Sequence, residues 1–374
     1  MKILILNTFM FTIEPGGKTT VKSIKDTMMY NMCLGFMHNG HEVTLAVGEE
    51  FRPTEHEVYD FEVLFFKAKF KKLLPPTVLP YSSEMKNYLK HNHQKFDLVI
   101  SSEVFMFQSL YAARICPEKT IIWHELALHQ RKFHKIPSKL WYNIVARFLM
   151  SKVRIVIPRS VDSQKFILQY MNNVSDEYVE HGININELTP SRDKDDYVVY
   201  IGQLIVRKNI PSILAKFAEY LKNGSPLKLK LIGRGPLEKE LKMICSKLNI
   251  DDSVDFLGFM THKQMNGVLN KAKAMLIDTK QDNNMVSIPE SIVCGTPVLT
   301  NTIPTNSCTI AQNKLGIAKD NWNAMDLKEI IDNNKMYVDN CVAFRDNLSI
   351  DHQAGELIRI AQTCISTLSY VKHR

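Results

Sequence analysis

The sequence predicts an α/β protein made of two doubly wound domains in tandem, and three observations carry that reading. Short apolar runs alternate with segments of helical spacing along the first half, the pattern of a parallel sheet covered on both faces. A polar, charged, proline-containing stretch from Asn186 to Asp196 interrupts that texture and reads as a linker. The alternation then restarts. A length of 374 residues accommodates two medium domains.

Lys2–Leu6 reads as a buried first strand, followed by a loop with Gly16-Gly17. A helix is predicted over Val21–Met37, stopped by Asn39-Gly40. Strands follow at Glu42–Val47 and Glu62–Phe66, a helix near Ser83–His91, then strands at Leu98–Ser101, Ile121–Trp123 and Ile155–Ile157. After the linker come strands Tyr197–Ile201, Lys228–Ile232, Val254–Leu257, Ala274–Ile277 and Val298–Thr300, with helices Ile210–Leu221 and Pro236–Leu248 among them. Two such domains are expected to turn their strand C-termini, where ligands bind, toward one cleft. The last helix, about Ser349–Ser369, is expected to fold back on the first domain.

The segment Asp282-Asn-Asn-Met-Val-Ser-Ile-Pro-Glu290, followed by Ser-Ile-Val-Cys-Gly-Thr-Pro-Val298, bears most directly on function. It places two carboxylates beside a strand-to-helix turn, where backbone N–H groups and the helix dipole attract anions. Carboxylates at such a site suit sugar or ribose hydroxyls. The same residues also form a capping box with Ser287 as N-cap and Glu290 at N3, a purely structural reading.

Hydrophobic content of 45% and charged content of 23% are those of an ordinary soluble globular protein. No apolar run approaches a membrane span, and the apolar N-terminus is too short for a signal peptide. Seven cysteines without a Cys-x-x-Cys pair suit unpaired thiols in a reducing cytoplasm, and the histidines lack metal-ligand spacing. The net charge of +8 is uneven: Leu126 to Val161 holds eight Lys or Arg and no Asp or Glu. A second basic knot is Lys67, Lys69, Lys71 and Lys72, followed by Leu73-Leu-Pro-Pro76. Such segments suit an anionic membrane surface or, more plainly, a core-packed helix with a solvated basic edge. No nucleic-acid-binding motif accompanies the charge, so nucleic acid is not an expected partner.

Several motifs stand in order: Gly16-Gly17, Ile122-Trp-His124-Glu125, Glu180-His-Gly182-Ile-Asn184, Tyr200-Ile-Gly202-Gln203-Leu204 with Arg207-Lys208-Asn209, Leu231-Ile-Gly233-Arg-Gly235-Pro236, Val254-Asp-Phe-Leu-Gly258, and the acidic pair. With these the chain resembles a retaining GT-B glycosyltransferase of the family 4 type (glycosyl transferases group 1) over nearly its full length. The resemblance implies two Rossmann-like domains facing a central cleft: an acceptor domain at 1–187, a donor domain at 188–354, and a C-terminal helix at 355–374 packed back on the first.

It further implies transfer of a sugar from a nucleotide-sugar, a UDP-sugar favoured over a GDP-sugar, to a glycan or lipid-linked sugar. The setting would be bacterial capsule or lipopolysaccharide synthesis, in the cytoplasm or peripherally on the inner face of the cytoplasmic membrane. Lys208 stands at the family's phosphate-binding lysine, with Arg207 beside it. Gln203 occupies a position that is usually Arg. Glu290 matches the ribose-binding carboxylate and Asp282 the donor-sugar carboxylate, which is normally Glu. Asn283 and Met285 replace loop glycines, and the Met285, Val286 and Ser287 amides are expected to face the diphosphate. Gly16, Gly17, Gly202, Gly233, Phe256 and Gly258 are expected to line the donor. His124 is expected to face the cleft near donor sugar and acceptor, with Glu125 orienting the acceptor. No cofactor or metal is expected. Lys18-Thr19 is not a P-loop, because Thr12 stands where that motif needs glycine. Gly233-Arg-Gly235 lacks the third glycine of a dinucleotide fingerprint. A GT-B sugar-nucleotide epimerase and a catalytically silent binding subunit are the alternative readings.

Overall fold

A computed structural model describes the chain apart from residues 11–20, 26, 76–77, 131–134, 283–284 and 373–374, and apart from the side chains of 262, 263 and 364–372. Gly16, Gly17 and Asn283 therefore lie outside the described residues. Two compact units emerge: unit 1 is Met1–Gly182 together with Ile350–Arg374, and unit 2 is Ile183–Ser349.

Unit 1 contains β1 (Lys2–Asn7), β2 (Glu42–Gly48), β3 (Glu62–Phe66), β4 (Leu98–Ser102), β5 (Thr120–His124) and β6 (Ile155–Pro158). They form one parallel sheet in the order β3-β2-β1-β4-β5-β6. Its helices are α1 (Met28–His38), α2 (Ser83–Asn92), α3 (Phe107–Ile115), α4 (Ile136–Leu140), which continues as a π-helix over Trp141–Leu149, and α5 (Val161–Ile167). The unbroken apolar run of β1 follows from burial on both faces. Ile3 and Ile5 meet Tyr30 and Phe36 of α1 on one side, whereas Leu4 and Leu6 meet Met85 and Leu89 of α2 on the other. The last helix, α13 (Ile350–Lys372), packs Ala354, Leu357, Ile358 and Ala361 into the same cluster as α1.

α1 starts later than its apolar spacing predicts. The Thr27 side chain accepts the Tyr30 N–H, a cap that fixes the start at Met28. Upstream, the Ile24 N–H donates to Glu57 Oε2 at 3.3 Å, and this side-chain partner replaces a helical one.

Unit 2 contains β7 (Tyr197–Ile201), β8 (Lys228–Ile232), β9 (Val254–Gly258), β10 (Met275–Leu276), β11 (Val298–Thr300) and β12 (Gly316–Ala318). The order β12-β11-β10-β7-β8-β9 is that of unit 1 when counted from the unit's own first strand. Its helices are α6 (Ile210–Leu221), α7 (Glu238–Leu248), α8 (His262–Leu269), α9 (Ser287–Val293), α10 (Ser307–Gln312), α11 (Ala324–Asp332) and α12 (Asn334–Phe344). Ile213, Leu214 and Phe217 of α6 and Leu241 of α7 cover one sheet face, and Ile288, Ile292 and Val293 of α9 cover the other.

Candidate active site

In a doubly wound sheet the loops diverge where the strand order reverses, and a crevice opens at the strand C-termini. In unit 2 that point lies between β7 and β10. After β7 the chain passes Gly202-Gln203-Leu204 and a 3-10 turn at Val206–Lys208 before Asn209, in the left-handed region at φ 53°, opens α6. After β10 it runs from Ile277 to Val286 and into α9. The loops are tied together: the Lys280 N–H and the Thr279 hydroxyl donate to the Arg207 carbonyl at 2.7 and 3.0 Å.

This tie places two cations on one carboxylate. Lys208 is only 8% exposed, and its Nζ donates to Asp282 Oδ2. Arg207 Nη1 donates to the same oxygen and to the Gln281 carbonyl, both at 3.1 Å. A lysine is rarely so buried without a partner. Here the partner is the first of the two carboxylates singled out in the sequence.

Glycines form the floor. The Gly202 N–H donates to the Ile232 carbonyl and the Leu204 N–H to the Arg234 carbonyl, each at 3.0 Å, and the Gly233 N–H reaches the Gly258 carbonyl at 2.8 Å. A Cβ on Gly233, at φ +140°, would stand 1.9 Å from the Gly202 carbonyl oxygen, and one on Gly235 would stand 2.3 Å from that of Leu204. Bare backbone thus runs along the ends of β7, β8 and β9. The Gln203 carbonyl accepts from the Tyr200 hydroxyl at 3.0 Å, and Phe256 is half-buried at the β9 edge.

Glu290 is buried on α9. The predicted Ser287 box is corrected: Val286, already helical at φ −60° and ψ −33°, is the N-cap, and its side chain caps nothing. Nor is the Met285 amide open to an anion. It donates to Asn306 Oδ1 at 3.3 Å, while Asn306 Nδ2 donates back to the Met285 carbonyl at 3.0 Å. Val286 and Ser287 stand at the opening of α9. Nothing in the sequence around Asn306 marks it as this clamp.

Unit 1 has a second polar cluster at its own strand ends. Glu103, left-handed at φ 74°, follows β4. Its Oε1 lies 2.6 Å from His124 Nδ1, and its Oε2 accepts the Glu125 and Leu126 N–H groups, each at 3.1 Å. His124 is wholly buried, its ring beside Tyr142 and stacked on Phe166. The imidazole expected at the cleft is thus enclosed in unit 1. Solvent instead reaches Glu125, whose side chain is 42% exposed.

Arg159 Nη1 donates to Glu125 Oε2 at 2.8 Å and lies 3.1 Å from His181 Nε2, and the guanidinium sits 3.8 Å above the Trp123 ring. Burial opposes charge on Glu125, but His181 and Arg159 outweigh it and hold the carboxyl at about 2. Burial also depresses the His181 imidazole, and Arg159 depresses it further. Glu103 and Arg159 escape a motif search because neither stands in a patterned segment. Only the sheet joins them to His124 and Glu125.

Residues 184–335, within unit 2, match the family model described as Glycosyl transferases group 1. This stretch of unit 2 is therefore similar to the group 1 glycosyltransferases. The alpha-monoglucosyldiacylglycerol synthase of Streptococcus pneumoniae is 23% identical to it over 180 residues, 48% of this chain and 40% of that enzyme. The match thus spans well under half of that relative's length. Among solved structures, sucrose-phosphate synthase from Thermosynechococcus elongatus superposes with a TM-score of 0.66 at 13% identity, over 98% of this chain and 99% of the other. Anabaena Alr3699/HepE in complex with UDP superposes with a TM-score of 0.62 at 16% identity, over 99% and 100%. The two units are the paired Rossmann-like domains of the GT-B fold. Within the two units, Lys208, Arg207 and Asp282 are in mutual contact, Gly202, Gly233 and Gly258 adjoin one another, and His124 and Glu125 belong to the separate cluster of unit 1. Among the described residues no group of three or more His, Cys, Asp or Glu is arranged to hold a metal ion.

Proposed function

We propose that this protein is a retaining glycosyltransferase. It moves a sugar from a nucleotide-sugar, a UDP-sugar before a GDP-sugar, to a glycan or lipid-linked sugar in cell-surface polysaccharide synthesis. The observation that carries the reading is the Arg207–Lys208 pair held on Asp282 at the strand-order reversal of unit 2. When the glycosidic bond to the diphosphate breaks, negative charge grows on the leaving oxygen, and stabilising it is the main catalytic task. Lys208 and Arg207 supply positive charge already in place, because Asp282 fixes them before the donor arrives. An entering diphosphate competes with Asp282 for Lys208 and frees that carboxylate for the donor sugar. Glu290 takes the ribose hydroxyls, and the glycine floor lets the nucleotide lie against backbone. With these cations the reaction needs no metal. Retention follows a same-face displacement in which the leaving phosphate accepts the acceptor proton, so no enzyme nucleophile takes part. Glu125 is assigned to the acceptor, and His124, bonded to Glu103, positions it.

A relative solved with UDP supports the uridine choice for the donor. The test is a thermal-shift screen against UDP, GDP, ADP, CMP and dTDP, with and without magnesium. UDP is expected to stabilise the protein selectively and without magnesium, by roughly 2.7 kcal/mol at a hundredfold excess over Kd. Glu290→Ala should abolish that shift while leaving the fold intact. No shift with any nucleotide in a folded sample would favour a silent binding subunit, and an unchanged shift in Glu290→Ala would remove Glu290 from the site.

A further inference from the structure

We propose that the loop between β11 and α10 is a brace that holds Asp282 on Lys208, with Asn301 and Asn306 as its two positioning residues. Its part in sugar transfer rests on the reading of the Lys208–Asp282 pair as the donor site. The loop covers residues 301–306 and grips the Asp282 loop at two points. Asn301 Nδ2 donates to the Thr279 carbonyl at 2.6 Å. Asn306 exchanges two hydrogen bonds with the Met285 backbone, at 3.3 and 3.0 Å. Asp282 lies between these points, three positions from each. A segment fixed at both ends has few conformations left for its middle, so the two asparagines decide where the carboxylate stands.

Each asparagine gives up something local to make its contact. Asn306 stands at the N-cap of α10, where an asparagine side chain ordinarily accepts one of the helix's first N–H groups. It caps nothing there, at φ −82° and ψ 6°, and turns instead to a residue 21 positions earlier. Asn301 is buried, and its Oδ1 finds no donor, an arrangement that costs stability. Neither amide can be turned round. Asn306 Oδ1 faces an N–H and its Nδ2 a carbonyl, and Asn301 Nδ2 also faces a carbonyl, so a flip would oppose like groups. Two local costs on one loop, both directed at the segment that carries Asp282, mark that segment as what the loop serves.

The brace is itself anchored. The Thr302 N–H donates to Asp320 Oδ1 at 3.1 Å, and its hydroxyl donates to the same oxygen at 2.6 Å. Pro304 restricts the backbone in mid-loop, and its carbonyl accepts the Ser307 N–H at 2.9 Å. On the other side the Thr279 hydroxyl donates to the Arg207 carbonyl at 3.0 Å. A connected set of bonds therefore runs from Asp320 through Asn301 and Thr279 to the turn that carries Arg207 and Lys208. The carboxylate and the lysine that it holds are set by one frame. An aspartate reaches only one methylene beyond its Cα, so a small backbone shift is enough to part it from Lys208 Nζ.

Amine labelling of the full chain with acetic anhydride, read peptide by peptide in a mass spectrometer, tests the brace without any nucleotide. Lys208 should label slowly in the natural chain. Asp282→Ala should speed that labelling, and so should Asn306→Ala, by about fivefold or more, the scale of coupling within one side-chain network. Combining the two substitutions should add nothing beyond Asp282→Ala alone. Lys194, whose Nζ donates to the Asn270 carbonyl at 2.7 Å elsewhere in unit 2, should keep its rate throughout. Asn306→Asp serves where the alanine variant does not fold. Aspartate caps α10 as well as asparagine does but cannot donate to the Met285 carbonyl, so Lys208 labelling should rise here too. An unchanged Lys208 rate in the Asn306 variants, a parallel rise at Lys194, or additive effects in the double variant would overturn the proposal. UDP should protect Lys208 in the natural chain. Absence of that protection would refute the donor reading alone, because the unliganded rates still decide the brace.

Discussion

Glu180 precedes His181 near the end of the first stretch of unit 1, and burial pushes its carboxyl up to about 7. An unfolded glutamate titrates near 4.3. The folded value is the higher one, so the folded chain favours the protonated acid. That advantage is full at pH values below the unfolded value and is lost as pH rises through about 7. Glu180→Gln removes this titration. Its Tm should exceed that of the natural chain by roughly 5 °C at pH 8 and match it near pH 4. A Tm difference that does not change with pH would show that burial is not what shifts this group. Glu125 titrates in the opposite sense. Its carboxyl is held at about 2, so its contribution is present above the unfolded value and disappears as pH falls toward 2. Lys208, Asp282 and Glu290 stood out in the sequence because each lies in a patterned segment. Glu103, Arg159 and Asn306 did not, because the partners that give them meaning lie 21, 34 and 21 positions away.

Among the elements, the close approach of the loops after β7 and β8 depends on a missing side chain. At Gly233 an added Cβ would lie 1.9 Å from a backbone oxygen, which no rotamer change relieves, and φ +140° disfavours any L side chain as well. Gly233→Ala should cost at least about 2 kcal/mol in urea unfolding. It should also weaken nucleotide binding, since the Gly202 carbonyl must move. Unchanged stability would mean that the loops part easily and that the floor is not a fixed platform. The strands were readable because fully buried parallel strands appear as short β-branched runs, and those assigned lie where they were expected. Helix starts were less readable. α1 is set by Thr27 and a distant Glu57, and α9 starts at Ser287 behind a Val286 that is itself helical. Such capping depends on ψ angles that composition does not encode. Between Thr300 and α13, β12 and α10 are too short to announce a period.

For the whole molecule, the decisive piece is α13. It returns to unit 1 after the chain has built all of unit 2, and it buries Ala354, Leu357, Ile358, Ile360 and Ala361 beside Met32, Cys33 and Phe36. A buried Leu or Ile side chain contributes about 1.5–3 kcal/mol, and a domain has only about 5–15 kcal/mol in total. Deletion from Ile350 onward should therefore unfold unit 1 while unit 2 survives. Limited proteolysis should digest Met1–Gly182 quickly and leave a fragment close to Ile183–Ser349. Equal resistance of unit 1 in both chains would show that the helix is dispensable. The tandem α/β plan was legible from the restart after Asp196, and the likeness of unit 2 to the group 1 glycosyltransferases from the ordered motifs.

Because unit 2 is inserted within unit 1, the part of the protein made first is completed last. At about 5–20 residues per second, the ribosome needs on the order of ten to thirty seconds to make unit 2 before it reaches Ile350. Throughout that interval unit 2 can fold on emergence, but the outer side of α1 remains bare. Birth order thus leaves the nascent chain with an open apolar seam, and a chaperone that covers it would govern the yield of finished protein more than the final stability does.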